Sequence, residues 1–218
     1  MKNTLEVDGI YLSFSGRMIL SDIYLKSETG KIVGLLARNG QGKSCLMQII
    51  SGILKPESRS VRFDGKIVLE LTRRSDLLVY LPQYNFIPSF LTIERVFRDF
   101  CLDISEFKAY FPEFDSKSKM KISEFSGGER RLIELYVIIK SKSQFALLDE
   151  PFTHISPMQV ERIKKLLIQE KENKGFIISD HMFRDITEIA DHIYLLKEGK
   201  LYSADSIEDV ERLGYARL

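Results

Sequence analysis

The chain has 218 residues, with 32 Lys and Arg against 31 Asp and Glu, for a formal net charge of +1. This length suffices for one hydrophobic core, and the near-neutral charge excludes recruitment to nucleic acid or an anionic membrane by a long-range field alone. Cys45 and Cys101 lack metal-ligand spacing, and a chain of this size does not need a disulfide to fold. A reducing cytoplasm is therefore the expected compartment. The apolar runs are far shorter than the ~20 residues that cross a bilayer, and no apolar signal region opens the sequence. We therefore expect a chain that does not span a membrane.

The N-terminal part of the sequence is strand-like. Apolar runs predict strands at 10–14, 19–25 and 32–36. The third run does not alternate with polar residues, which is typical of a strand buried on both faces. A glycine-rich turn follows it, and a helix is predicted over 43–51, ended by a glycine and a proline.

The middle of the sequence changes from strands to helices. Short strands are predicted at 60–63 and 77–81, and apolar residues then recur at helical spacing over 92–111 and 127–139. We interpret the region from about 84 to 140 as an inserted helical subdomain.

The C-terminal part returns to alternating strands and helices. The predicted elements are strands at 145–148, 176–179 and 193–196 and a helix at 157–172. Such alternation predicts a mostly parallel sheet with right-handed crossovers.

The segment 37–44, Ala-Arg-Asn-Gly-Gln-Gly-Lys-Ser, joins a buried strand to a helix, which is the setting of a phosphate-binding P-loop. Gly40 and Gly42 allow backbone N–H groups to surround a phosphate at the helix N-terminus. Lys43 would reach the outer phosphates, and the Ser44 hydroxyl would ligate Mg²⁺.

The apolar strand at 145–148 is followed directly by Asp149 and Glu150. Both carboxylates should therefore lie at the carboxyl edge of the sheet, where open α/β sheets bind ligands. Asp149 could hold Mg²⁺ directly or through water, and Glu150 could accept a proton from an attacking water. Carboxylate pairs also occur in solvated turns, but the P-loop favours the catalytic interpretation.

Ser126, Gly127, Gly128 and Glu129 open a long amphipathic helix upstream of Asp149. Together with the P-loop and the Asp-Glu pair, they resemble the nucleotide-binding domain of ABC ATPases. The signature sequence of that family, usually Leu-Ser-Gly-Gly followed by Gln or Glu, precedes the Asp-Glu strand at this spacing.

Three further positions match motifs of the same family. Gln83, in Leu-Pro-Gln, matches the Q-loop residue, and His181, in Ser-Asp-His, matches the switch histidine. Phe14 falls where the family places an aromatic ring against adenine, with Tyr11 as a nearby competitor. Taken alone, these residues would be an ordinary surface glutamine, a capping or core histidine and a core phenylalanine. Six motifs therefore occur in the family's order across nearly the whole chain.

The resemblance implies an α/β fold: a P-loop NTPase core with a mostly parallel sheet, an N-terminal antiparallel β subdomain and an inserted α-helical subdomain, in a single domain over 1–218. The implied catalytic residues are Glu150, His181, Gln83 and Lys43. The implied Mg²⁺ ligands are Ser44, Gln83 and Asp149. The implied ATP contacts are Phe14, Asn39, Gly40, Gln41, Gly42, Lys43, Ser44, Cys45, Ser126, Gly127 and Gly128.

The resemblance also implies partners. Two such domains close head to tail around ATP, as a homodimer or a heterodimer, and power a separate transmembrane permease subunit from the cytoplasmic face. The permease would dock near an aromatic-rich loop that contains Tyr84, Phe86, Ile87, Pro88, Phe90 and Leu91, although these residues could equally pack within their own subdomain. No nucleic-acid partner is expected, since the coiled-coil insertions, zinc motifs and duplicated cassettes of ribosome- and DNA-acting relatives are missing from the sequence.

Three positions depart from the family pattern. Ala37 replaces the first glycine of the P-loop, Phe125 replaces the signature leucine, and Ser156 stands where an aspartate is usual. A positive φ at Ala37 would imply a strained loop. These departures keep open a regulatory or weakly hydrolysing nucleotide-binding protein as the alternative function.

Overall fold

The computed structural model describes residues 2–181, 183–204 and 209 of the chain. The strands are β1 (Thr4–Phe14), β2 (Arg17–Glu28), β3 (Ile32–Leu36), β4 (Ser58–Phe63), β5 (Lys66–Ile67), β6 (Leu78–Leu81), β7 (Phe145–Asp149), β8 (Gly175–Ser179), β9 (His192–Lys197) and β10 (Lys200–Ala204). The α-helices are α1 (Lys43–Ile50), α2 (Ile93–Asp99), α3 (Ile104–Tyr110), α4 (Gly127–Lys140), α5 (Pro157–Glu170) and α6 (Phe183–Ile189). Short 3₁₀ helices lie at Leu71–Arg73, Pro112–Phe114 and Ile122–Glu124.

The strands form two sheets. A four-stranded antiparallel sheet has the order β2-β1-β4-β5, and a six-stranded sheet has the order β10-β9-β3-β8-β7-β6. Neighbours in the second sheet are parallel except for β10, which pairs antiparallel with β9. The prediction of an α/β fold with a mostly parallel sheet and an N-terminal antiparallel β subdomain is confirmed.

The parallel sheet separates two hydrophobic cores. Phe145 and Leu147 of β7 face the core shared with α1 and the antiparallel sheet, whereas Ala146 and Leu148 face the core shared with α4 and α5. Because alternate side chains enter opposite cores, all five residues of β7 are buried. This explains why the central strands read as unbroken apolar runs.

The helical region begins after β6. The range 92–111, where apolar residues recur at helical spacing, contains two helices, α2 and α3, separated by 100–103. Cys101 in this connection has a φ of 55°, and Asp103 caps α3 by accepting a hydrogen bond from the Ser105 N–H. The positive φ and the new N-cap end one helix and start the next.

The other predicted elements lie close to their observed positions. Sequence reasoning missed α6, β10 and the two-residue strand β5, which are short or on the edge of a sheet. Within the described ranges, no helix is both long and apolar enough to cross a membrane.

Helix α4 packs closely against the loop that follows β7. A Cβ atom placed on Gly128 would lie 2.5 Å from the backbone oxygen of His154, whereas one placed on Gly127 would meet nothing within 4 Å. His154 itself has a φ of 67°, so the loop is already in a restricted conformation. Gly128 is therefore required by packing within this chain.

We expect Gly128→Ala to lower the free energy of unfolding by about 1–3 kcal/mol, because the added methyl group must displace the His154 backbone. The matched variant Gly127→Ala should change it by less than about 0.5 kcal/mol, since its methyl group enters open space. Urea denaturation of the two variants and the wild type measures both values. Equal stability of the two variants would contradict this account of the contact.

A buried lysine lies beneath the start of β8. Lys174 is 2% exposed, and its ammonium group donates hydrogen bonds to the Ser141 backbone oxygen and to the hydroxyls of Ser141 and Ser143. Burial lowers the pKa of Lys174 to about 8, against the opposing effect of Glu170. Between about pH 8 and the ordinary lysine pKa of 10.5, Lys174 binds more protons in the unfolded chain than in the folded chain. The contribution of Lys174 to the free energy of unfolding therefore rises as the pH rises through this range.

We expect Lys174→Met to stabilise the protein most at neutral pH and progressively less at alkaline pH. The difference in unfolding free energy from the wild type should shrink by up to about 3 kcal/mol as the pH passes from about 7 to about 10.5. Chemical denaturation at a series of pH values tests this. As a control for the loss of a lysine, Lys165→Met removes an exposed lysine of α5 and should change the unfolding free energy at neutral pH by less than about 0.5 kcal/mol. A constant difference for Lys174→Met would show that its ammonium group is not held out of water.

Candidate nucleotide site

A cavity of about 550 Å³ lies at the carboxyl edge of the parallel sheet. The loops after β3, β8, β7 and β6 meet there, because these strands are parallel neighbours. The residues that line it are Phe14, Ile19, Asn39, Gly40, Gly42, Lys43, Ser44, Cys45, Gln83, Glu150 and His181. Residues from five of the six motifs, far apart in the sequence, thus surround one space.

The P-loop turns through two glycines with positive φ. Gly40 has a φ of 78° and Gly42 a φ of 99°, and a Cβ atom on Gly42 would lie 3.0 Å from the Ile19 side chain. Ala37, in contrast, does not have a positive φ, so the methyl group at the first P-loop position introduces no strain there. The loop can form without the usual first glycine.

Lys43 is the cation of the cavity. It is 6% exposed, and its Nζ donates a hydrogen bond of 2.8 Å to the backbone oxygen of Ala37. Burial lowers the pKa of Lys43, while the carboxylates of Glu150, Asp149 and Asp180 act in the opposite direction. An anionic ligand would favour the charged ammonium in the same way as these carboxylates do.

Gln41 is the one P-loop residue proposed for ATP binding that does not line the cavity. Its side-chain oxygen accepts a hydrogen bond of 3.0 Å from the backbone N–H of Glu198, in the turn between β9 and β10. The side chain therefore ties the P-loop to that turn, which leaves the backbone of Gln41 for any contact with a phosphate. The spacing of the motif gives no signal of this long-range bond.

Asp149 is held by two hydroxyl groups from neighbouring strands. Its Oδ1 accepts from the Ser179 hydroxyl at 2.5 Å, and its Oδ2 accepts from the Tyr80 hydroxyl at 3.1 Å. The carboxylate is 1% exposed, and burial together with Asp149 raises the pKa of Tyr80 well above its ordinary value. Sequence reasoning missed both hydroxyl residues, although a polar side chain inside an otherwise apolar strand is a signal for them.

Glu150 follows Asp149 with a left-handed backbone. Its φ is 46°, and its N–H donates to the Ser179 backbone oxygen at 2.7 Å. The Gln83 amide donates a hydrogen bond of 2.7 Å to Glu150 Oε2, and His181 Nδ1 lies 3.8 Å from the same oxygen. The residues predicted as base, Q-loop glutamine and switch histidine are therefore within reach of one another.

The proposed Mg²⁺ ligands all offer oxygen. Ser44 and Gln83 line the cavity, and Asp149 lies close enough to influence the pKa of Cys45 beside Ser44. Hydroxyl, amide and carboxylate oxygens are the donors that Mg²⁺ prefers, so this donor set fits the ion.

Of the two aromatic residues considered for an adenine contact, Phe14 lines the cavity and is 48% exposed, whereas Tyr11 does not line it. Cys45 also lines the cavity, and burial raises the pKa of its thiol.

The signature residues lie elsewhere on the same chain. Ser126, Gly127 and Gly128 are not among the residues that line the cavity. Ser126 is the N-cap of α4: its hydroxyl accepts from the Glu129 N–H, and Glu129 in turn bonds to both the N–H and the hydroxyl of Ser126. Lys117 pairs with Glu129 at 2.5 Å. This capping box fixes the start of the helix.

Ser156, in the position where an aspartate is usual, caps α5. Its hydroxyl accepts from the Gln159 N–H at 3.4 Å and donates to the Gln159 side chain at 3.0 Å. The serine thus has a local role in starting the helix.

The aromatic-rich loop is divided between packing and exposure. Ile87 is 2% exposed, and Phe86 and Leu91 pack against the same core, whereas Tyr84 and Phe90 are 65% and 72% exposed. Part of the loop supports its own subdomain, and part of it remains on the surface.

The sequence is similar to a family model and to curated proteins. The model of the family described as ABC transporter matches residues 20–153. The lipopolysaccharide export system ATP-binding protein LptB of Haemophilus influenzae is 29% identical over 94% of this chain and 92% of its own length. A probable ABC transporter ATP-binding protein of Azorhizobium caulinodans is 30% identical over 96% of this chain and 79% of its own.

Solved structures agree with this match in fold. An ATP-binding subunit of an ABC transporter superposes with a TM-score of 0.81 at 20% identity, covering 96% of this chain and 92% of that one. A bacterial Atm1-family ABC exporter with ATP bound gives 0.84 at 18% identity, covering 98% of this chain and 41% of that one. Since the family model covers more than half of the sequence and five of the six motifs converge on one cavity, the chain belongs to the ABC transporter family.

Proposed function

We propose that this chain binds and hydrolyses MgATP and, by closing with a second ATP-binding protomer, powers a separate membrane permease. The observation that carries the proposal is the cavity in which Lys43, Ser44, Gln83, Glu150 and His181 meet. These residues come from four loops, and each has a defined part in phosphoryl transfer to water.

The phosphates would bind at the P-loop. The backbone N–H groups around Gly40 and Gly42 and the N-terminus of α1 favour an anion. The Lys43 ammonium would exchange its hydrogen bond to the Ala37 oxygen for the outer phosphates. Phe14, partly exposed at the edge of the cavity, offers a ring face for adenine.

Hydrolysis requires a base next to the γ-phosphate. Glu150 would accept a proton from water while the water oxygen forms a bond to phosphorus and the bond to the leaving ADP oxygen breaks. The Gln83 amide orients the carboxylate, and His181 beside it would donate to the γ-phosphate. Ser44, Gln83 and Asp149 would hold Mg²⁺, which when bound neutralises charge on the phosphates.

A second protomer would complete the site. The signature residues Ser126 to Gly128 are placed at a helix N-terminus on the same chain but outside the cavity. In head-to-tail closure they would face the γ-phosphate of the partner's ATP, where the helix N-terminus favours an anion. Each chain would thus supply complementary parts of two sites, as a homodimer or with a different partner.

The membrane subunit would dock beside the Q-loop. Tyr84, which follows Gln83, and Phe90, later in the same loop, present exposed aromatic rings, and such rings are enriched in protein interfaces. A short helix of a permease fits this surface better than nucleic acid does, because the chain as a whole is near neutral. The protein would then lie at the cytoplasmic face of the membrane through its partner.

We expect Glu150→Gln to lower kcat for MgATP by about 10²–10⁴, since the amide cannot accept the proton. ATP binding should persist, because Lys43 and the P-loop are unchanged. Steady-state phosphate release measures the rate, and size-exclusion chromatography with and without ATP measures dimerisation. The variant should dimerise with ATP more completely than the wild type, which dissociates after turnover.

The matched control is Glu172→Gln, which removes an exposed carboxylate outside the site and should leave kcat unchanged. If the wild type binds ATP tightly and neither hydrolyses it nor dimerises, the regulatory alternative replaces the transport ATPase. If Glu150→Gln hydrolyses ATP at the wild-type rate, another group is the base.

A further inference from the structure

Two buried, oppositely charged residues on α4 bond to backbone groups on both sides of residues 83–85, the Q-loop segment, and at the end of β7. Arg131 is 4% exposed and Glu134 is 0% exposed, and Arg131 Nη1 lies 3.7 Å from Glu134 Oε2. They are three residues apart and therefore lie on one face of the helix. Neither side chain lines the cavity.

Arg131 donates hydrogen bonds to backbone oxygens beside Gln83 and at Glu150. Its Nη1 donates a hydrogen bond of 2.8 Å to the oxygen of Pro82, which precedes Gln83. Its Nη2 donates to the oxygens of Asp149 at 2.8 Å and of Glu150 at 3.1 Å. One planar guanidinium thus holds the ends of β6 and β7 at a fixed separation, a geometry that its rigid fork of donors suits.

Glu134 holds the other end of the Q-loop. Its Oε1 accepts hydrogen bonds from the N–H groups of Phe86 at 3.0 Å and Ile87 at 3.3 Å. With Arg131 at Pro82 and Glu134 at Phe86, residues 83–85 form a short span fixed at both ends to the same helix. The side chain of Gln83 is therefore aimed by contacts outside its own loop.

The left-handed backbone of Glu150 needs the same support. Its N–H is held by the Ser179 oxygen, and its carbonyl oxygen accepts from Arg131. A non-glycine residue at a φ of 46° is unfavourable unless its surroundings fix it. Arg131 supplies that fixation on the carbonyl side.

We propose that Arg131 and Glu134 are positioning residues for ATP hydrolysis, acting as a clamp that holds Gln83 and Glu150 in register from α4. The proposal rests on the proposed ATPase function. It predicts a loss of turnover with little change in ATP affinity, because the P-loop belongs to β3 and α1 and neither residue of the clamp bonds to it.

The test uses the double variant Arg131→Met/Glu134→Met of the full chain. Removing both members of the pair avoids burying either of their charges alone. The bond from Arg131 to Pro82 and the bonds from Phe86 and Ile87 to Glu134 are lost, whereas Arg130, whose Nε lies 3.5 Å from Glu134 Oε1, keeps its hydrogen bond to the Ile87 backbone oxygen. The matched control is Lys140→Met/Glu170→Met, which removes a partly buried ion pair of 2.9 Å at the opposite end of the same helix.

We expect the clamp variant to lose about tenfold or more in kcat, since small displacements of reacting groups are costly. Its dissociation constant for MgATP, from fluorescence titration, should stay within about threefold of the wild type. The control should keep both values. Unchanged kcat in the clamp variant, or parallel losses of turnover and affinity, would overturn the proposal.

Amide hydrogen exchange gives a readout that does not depend on activity. The Phe86 and Ile87 amides should exchange faster in the clamp variant than in the wild type or the control, while α1 stays as protected as before. If the wild type hydrolyses no ATP, the proposed function fails, and the exchange result still decides on the clamp. Unchanged exchange at both amides would overturn it.

Discussion

The parallel register of four neighbouring strands is the constraint on which the site depends. In this register Leu81 of β6 pairs with Leu148 of β7, and Asp149 of β7 pairs with Ser179 of β8. All four strands therefore end at one edge, and the Ser179 hydroxyl falls within bonding distance of the Asp149 carboxylate. A slip of one residue in β7 would turn Asp149 to the opposite face of the sheet and exchange the contents of the two cores.

Much of the site could be predicted because its residues sit in local patterns. A glycine-rich turn after an apolar strand and a carboxylate pair at a strand end are visible in a few consecutive letters. The contacts that could not be predicted join distant segments: Gln41 to Glu198, Tyr80 to Asp149, and Arg131 to Pro82. These depend on the order of strands and on helix packing, which periodicity does not specify. Apolar spacing over 92–111 indicates helix but does not locate the break between α2 and α3, which a local cap at Asp103 and a positive φ at Cys101 set.

Charge in this protein is arranged locally. The net charge of +1 conceals several ionisable side chains that are nearly excluded from water, among them Lys43, Arg131, Glu134 and Asp149. Lys43, Arg131 and Glu134 bond to backbone groups, and Asp149 accepts from two hydroxyl groups. Such bonds are the condition under which buried charged groups are tolerated. Their concentration around one edge of the sheet marks that edge as the part of the fold shaped for chemistry. Lys174, beneath the start of β8, is a buried charged residue away from it, and the two hydrophobic cores are formed by apolar side chains.

The left-handed backbone at Glu150 has a consequence for how this chain can change over time. A glycine would occupy that conformation without penalty, so a strained glutamate costs about 1 kcal/mol or more that a drift to glycine would recover. Copies released from the need to turn over nucleotide would therefore tend to gain stability as they lose the carboxylate. Under the proposed mechanism, a glutamate kept here despite its cost indicates selection for hydrolysis, and relatives with glycine at this position are the ones in which binding without hydrolysis should be sought.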